Sequence, residues 1–240
     1  MKKLCVGTAA WANPPAERAA RPAGKSHLQH YATSFNCVEI NSSFYRAHQR
    51  STYERWRAST PDGFRFSVKV PRSVSHEGAL KHCRTELREF LRQIAGLGRK
   101  LRVILLQTPG TLAFDQRTVA RFLAVLAGES TCRIAWEARH PSWFSAKARA
   151  LLTRYDVGSV IADPARGIPE PTAGARLAYY RLHGSPRMYY SAYSAEYLQR
   201  LHAEILALKA KEAWCIFDNT ARHASWGNAQ YLQQLFDSDR

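Results

Sequence analysis

No glycine-rich phosphate fingerprint follows the first apolar run of this chain. "GTAAWANP" (7–14) is neither GxGxxG nor a P-loop, so nothing announces a dinucleotide or nucleoside-triphosphate fold; there is no nucleotide-cofactor fingerprint, and the cofactor is left open, a divalent metal included. Long hydrophobic runs are missing as well. No stretch approaches the length of a membrane-spanning helix, and no membrane role is expected. Cysteine is sparse and poorly spaced for metal. There are five, Cys5, Cys37, Cys83, Cys132 and Cys215, an odd number with no CxxC or Cys/His pattern. Cys5, Cys37 and Cys215 sit in apolar runs and are expected to be small core residues in a reducing, cytoplasmic setting. Acidic residues are few, 19 against 35 basic ones, for a formal charge of +16. Such a field draws nucleic acid, phosphorylated metabolites or anionic surfaces, although a compositional bias toward arginine would produce the same count. No linker, composition break or solenoid repeat divides the chain. It is expected to be one domain over residues 1–240. The N-terminal "MKKLCVGTAAW" reaches Asn13-Pro14-Pro15 before a secretory h-region could be built, and is expected to be a first β-strand.

What is present is an alternation. Short apolar runs recur at 4–11, 35–41, 64–70, 102–107, 133–139, 158–163, 178–184 and 214–219. Several are continuous, as parallel strands covered on both sides require. Between them lie helical signals. Leu80, Leu87, Leu91 and Ile94 mark 79–97; Asp115 caps 115–127; Ser194 caps 194–208. The Pro/Ala/Arg-rich 12–34 segment reads as a loop before a short helix near Leu28–Ser34. Eight strand–helix units in 240 residues, 45% of them hydrophobic, predict an α/β fold: a single (β/α)8 TIM-type barrel with an irregular or shortened first βα segment.

The polar residues gather where such a barrel places chemistry. Inward side chains are normally apolar, except near the carboxyl ends of the strands, which face the open mouth. Glu39 and Asn41 share parity on one run, as do Glu137 and Arg139, and Arg181 and His183. Lys69, Gln107, Asp163 and Asn219 stand at or near other strand ends. Glu137 and Arg139 could equally be a structural pair closing the barrel top. Several charges buried without partners would cost several kcal/mol each, roughly, so their convergence favours a purpose.

The motifs "VEINSSFYR" (38–46), "TPDGFRFSVKVPRSVSH" (60–76), "LQTP" (106–109), "WEARHPSW" (136–143), "YYRLHG" (179–184) and "FDNT" (217–220) stand in an order that resembles the DUF72, or YecE-like, family over nearly the whole chain. The resemblance implies a TIM-type barrel and a soluble bacterial-type protein with no assigned reaction. The chain departs from the family pattern at "GTAAWANP", where "GTSGWSY" is usual. It departs again at Asp218-Asn219, where paired asparagines are usual, and at "ARHASWGNA" (221–229).

Two functional classes follow from the residues. In the first, a hydrolase or related enzyme acts on a phosphate-bearing substrate, nucleic acid included. Glu39 or Glu137 is the general base and His183 its acid or partner. Asn41, Tyr45, Arg46, Lys69, Arg139, Arg181 and Asn219 form the substrate and anion contacts. Tyr45, Trp143, Tyr189 and Tyr190 could stack on a ring, though packing of the barrel top explains them as well. A metal-assisted version would use Glu39, Glu137, Asp163 and His183, none of them at a spacing that announces a site. A glycosidase built on Glu39 and Glu137 ranks low, because neighbouring arginines oppose the raised pKa its acid needs. In the second class, the same basic mouth binds nucleotides or nucleic acid without turnover.

Overall fold

Apolar continuity of the strands has its expected consequence. The computed structural model, which describes residues 2–165 and 175–239, contains eight parallel strands paired in sequence order and closed on themselves. They are β1 (Lys3–Ala9), β2 (Cys37–Ile40), β3 (Arg65–Lys69), β4 (Leu101–Gln107), β5 (Arg133–Glu137), β6 (Val157–Asp163), β7 (Leu177–Leu182) and β8 (Glu212–Phe217). Closure comes from β1 against β8, in register from Lys3–Glu212 to Thr8–Phe217. No sheet edge remains exposed.

Alternation along each strand separates two cores. Residues such as Val38, Phe66, Val68, Ile104, Leu106, Ile134 and Trp136 face the surrounding helices. Their alternates, Cys5, Ala9, Cys37, Val103, Leu105, Ala135, Tyr179, Trp214 and Ile216, fill the barrel. Each buried aliphatic side chain contributes about 1.5–3 kcal/mol. Among the described residues every cysteine is a free thiol, and Cys5, Cys37 and Cys215 are buried as anticipated. The amino-terminal end is closed by a polar plug. Arg102 donates to Glu212 at 3.0–3.1 Å, and Trp214 Nε1 donates to the same carboxylate at 3.0 Å.

The helices are α1 (Pro15–Ala19), α2 (His27–Ser34), α3 (Arg50–Ala58), α4 (Arg84–Ile94), α5 (Gln116–Glu129), α6 (Ala146–Arg154), α7 (Ala195–Ala207) and α8 (Ala224–Ser238). Asp115 caps α5 by accepting from Thr118 N at 2.8 Å, and Ser194 caps α7 through Tyr197 N at 3.3 Å. Ser26 and Gln29 form a reciprocal capping box on α2. Two expectations need correction. The 12–34 segment is not all loop before α2, since proline at the first helical position starts the five-residue α1. The 79–97 helix begins only at Arg84, because Ala79, Leu80 and His82 take positive φ angles that no α-helix accepts. Among the described residues no helix is long and apolar enough to cross a membrane.

Candidate active site at the barrel mouth

Inward parity carries β7 from Tyr179 through Arg181 to His183, and the side chains met there decide what the mouth can do. Arg181 is 1% exposed. Its Nε and Nη2 donate to the two Glu39 oxygens at 3.0 and 2.9 Å, its Nη1 to Glu137 at 2.6 Å, and its Nη2 also to Asp218 at 3.1 Å. One guanidinium thus joins carboxylates from β2, β5 and the end of β8. A planar fork with five donors suits this task, and lysine could not replace it. Burial alone would lower the Arg181 pKa, but Glu39, Glu137 and Asp218 outweigh it and hold the cation firmly.

The two glutamates differ from simple catalytic bases. Glu39 is 0% exposed, and besides Arg181 it accepts from Tyr179 Oη at 2.8 Å; that hydroxyl also lies 2.9 Å from Ser67 Oγ. Every polar edge of Glu39 faces protein. Glu137 takes Arg181 on one oxygen and Arg139 Nε and Nη2 on the other, at 3.0 and 2.8 Å. Burial pushes the Glu137 pKa up, yet Arg181, then Arg139, His183 and Lys69, hold it well below the usual carboxylate range. It is a permanent anion.

Two groups keep free functionality. His183 is 3% exposed and its Nδ1 lies 3.0 Å from Asp218 Oδ2, a carboxylate oxygen that accepts, so Nδ1 donates; its other nitrogen, Nε2, is buried and has no partner among the described residues. Tyr189 stands edge-on to the imidazole, ring centroids 5.7 Å apart. For Asp218, burial pushes the pKa up, but the hydrogen bond it receives from His183 and the charge of Arg181 overcome this and lower it. Lys69, at the end of β3, points its amine at the Phe44 ring, 4.3 Å from the centroid. Burial first, and Arg181 second, bring its pKa down to about 8 against the opposing pull of Glu39, Glu137 and Asp218. It is therefore a cation that a small change of environment can neutralise.

The structure brings Glu39, Lys69, Glu137, Arg139, Arg181 and His183 together at the mouth. It sends other candidates elsewhere. β2 ends at Ile40, so Asn41 opens a 3-10 turn (Ser42–Phe44) and lines a separate cavity with Arg46. Tyr45 is 80% exposed and packs only edge-on against Phe44. Arg139 lies beyond β5 and folds back on Glu137. Asn219 is buried: its amide nitrogen donates to Ser191 O and Asn228 Oδ1, both at 2.9 Å, tying α8 to the loop after β7, while its Oδ1 has no partner among the described residues. Trp143 packs on Trp136 and donates to Leu112 O at 2.8 Å. Tyr190 stacks on Arg187, 4.1 Å from its guanidinium carbon.

The four proposed metal ligands do not form a site. Arg181 fills the space between Glu39 and Glu137, while Asp163 accepts from Tyr193 at 2.8 Å. Among the described residues no group of three or more His, Cys, Asp or Glu is placed to hold a metal ion. Sequence reasoning also missed Asp218, treating it only as a departure from the family pattern. Trp214, Ile216 and Asp218 share parity, so counting by twos along β8 directs Asp218 to the axis. Gly184, with φ of 96°, then turns the chain after His183; a Cβ there would stand 2.8 Å from Ser191 O.

The sequence model of the family described as "Protein of unknown function DUF72" matches residues 5–240. The UPF0759 protein YecE of Escherichia coli K12 is 36% identical over 145 residues, covering 59% of this chain and 50% of YecE. YunF of Bacillus subtilis strain 168 is 27% identical over 155 residues, covering 59% of this chain and 52% of YunF. The chain thus spans about half the length of the curated relatives it matches. A crystal structure of a DUF72 family protein from Thermotoga maritima superposes with a TM-score of 0.82 at 25% identity, covering 98% of this chain and 99% of that one. One from Enterococcus faecalis V583 gives 0.80 at 21% identity, covering 98% and 95%, a likeness of fold.

Proposed function

The chain belongs to the DUF72 family, which brings a barrel but no reaction with it, and from that premise we propose that it is an enzyme of the hydrolase or group-transfer type acting on a phosphate-bearing substrate at the barrel mouth. The observation that carries this is the Asp218–His183 pair, an imidazole oriented through Nδ1 with its Nε2 buried and unpartnered. Buried polar atoms are almost always satisfied, and an orphan at the mouth of a barrel marks a place where a reacting proton belongs. His183 is the general base or acid, and Asp218 fixes its tautomer and stabilises the imidazolium, the division of labour used wherever a carboxylate orients a catalytic histidine. Lys69 is the anion contact, since among the described residues no carboxylate forms an ion pair with its amine. Arg139 remains partly available beside it. Glu39, Glu137 and Arg181 hold this constellation in place rather than react.

The test is kinetic. Against a panel of phosphomonoesters and phosphodiesters, His183→Gln is expected to lower kcat at least 100-fold with substrate affinity within threefold of the parent, on the order of the 10²–10⁴ attributed to a positioned acid–base group. Lys69→Met is expected to raise KM instead. Equal turnover by His183→Gln and the parent would overturn the assignment. The net charge of +16 favours a second reading, a nucleic-acid or nucleotide binding module without chemistry. Its signature is affinity that falls steeply with salt, no turnover, and indifference to His183→Gln.

A further inference from the structure

A second cavity, of about 460 Å³, opens among the segments that follow β1, β2 and β8, and it shares no lining residue with the Lys69–His183 centre. Among the described residues no acidic one lines it. Arg18 and Arg46 reach it from two sides, both exposed and neither in an ion pair among the described residues. His27, His48 and His223 add further donors. Trp11 and Trp56 meet edge-on in its wall, ring centroids 5.0 Å apart, each half-buried and able to give a face or an edge to a planar ring. The decisive feature is polar. Asn13 is 2% exposed, its Nδ2 already donates to His27 O at 3.5 Å, and its Oδ1 is buried without a partner. Asn41, which also lines the cavity, has a second buried Oδ1 without a partner among the described residues.

Each group narrows the occupant. Two amide oxygens that accept hydrogen bonds and receive none call for N–H donors, and leaving them empty costs about 1–3 kcal/mol apiece. Tryptophan walls suit a flat heteroaromatic ring. Unpaired guanidinium groups at the rim suit phosphate. We infer that this cavity is a binding site for a nucleoside monophosphate with an amino-bearing base. The base enters against Asn13, Asn41 and the tryptophans, and the phosphate remains at the rim with Arg18 and Arg46. A free nucleotide and the terminal nucleotide of a nucleic acid offer the same chemistry. The inference stands whether or not the barrel mouth turns over a substrate.

The probe is AMP, followed by tryptophan fluorescence and by equilibrium dialysis, with adenosine, inorganic phosphate and a short oligoadenylate as comparisons. AMP is expected to saturate a single site and to bind at least tenfold tighter than adenosine or phosphate alone. Arg46→Ala and Trp11→Ala are each expected to weaken it at least tenfold, while Arg154→Ala, the same charge change on α6, leaves it within twofold. Asn13→Leu is expected to abolish binding; because Asn13 is buried, the two exposed or half-exposed variants decide the matter if it fails to fold. Oligoadenylate binding tighter than AMP assigns the site to a nucleic-acid end, and AMP binding tighter assigns it to the free nucleotide. No saturable binding at millimolar AMP overturns the inference. So does equal affinity for phosphate and AMP, or a loss on Lys69→Met as large as that on Arg46→Ala.

Discussion

Arg181 carries more of the mouth than any other side chain. Three carboxylates converge on a guanidinium that is 1% exposed, so removing it strands three anions where desolvation is expensive. Arg181→Met is expected to cost about 3–5 kcal/mol in chemical denaturation, the range for breaking a buried pair. The pH dependence distinguishes the cause. In the parent, the folded-state pKa values of Glu137 and Asp218 lie below their ordinary values. Their stabilisation is complete above about pH 4.5 and is lost as pH falls through the depressed values. In Arg181→Met the uncompensated carboxylates bind protons more readily when folded than when unfolded, so lowering the pH from 7 to 5 should stabilise the variant while leaving the parent unchanged. A variant that lost stability only through packing would show no such reversal. Lys69 has the opposite linkage. Its folded pKa of about 8 lies below 10.5, so stability rises with pH between those values as the unfolded chain alone keeps the proton. An anion bound to Lys69 restores its charge, and phosphate binding above pH 8 is expected to take up a proton, measurable as a buffer-dependent heat in calorimetry.

At the scale of elements, the strands were legible and their ends were not. All eight apolar runs became strands because continuous burial on two faces leaves a strong signal. β2 nevertheless stops at Ile40 and β5 at Glu137, one to two residues short of the parity argument that put Asn41 and Arg139 on the axis. That small shift explains why Asn41 left the mouth for the neighbouring cavity. Caps were legible where a short polar side chain precedes an apolar stripe, as at Asp115 and Ser194. Asp115→Ala is expected to lower the midpoint of thermal or urea unfolding without altering ligand affinity. The late start of α4 was not legible, since three positive φ angles in Ala79, Leu80 and His82 follow from how the preceding turn packs, not from those residues' preferences. The turn after β7 is different in kind. Gly184→Ala puts a methyl 2.8 Å from Ser191 O at φ of 96°, and is expected to cost about 1–3 kcal/mol while also reducing activity through the displaced His183, a pairing the Asp115 variant lacks.

Across the whole molecule, the tips of β2, β3, β5, β7 and β8 build a centre that none of them could hold alone. The sequence disclosed that convergence through polar residues at the ends of apolar runs, and the family motifs pointed the same way. It could not disclose which charges are spent on each other. Glu39, Glu137 and Arg181 looked like a base and an anion clamp in one dimension; in three they satisfy one another, leaving Lys69 and His183 as the groups with unused capacity. Asp218 was within reach of the same count by twos, through Trp214 and Ile216, and its contact with Arg181 and His183 is what the fold adds. The measurement closest to the central claim is a crystal structure with tungstate, an electron-dense mimic of phosphate, at a pH below 8 where Lys69 is charged. An oxyanion is expected within about 3 Å of both Lys69 Nζ and His183 Nε2, with Arg181 still shared by its three carboxylates. An anion bound on Arg181 itself, with Glu39 or Glu137 displaced, or a mouth that takes up no anion while surface arginines do, would contradict it.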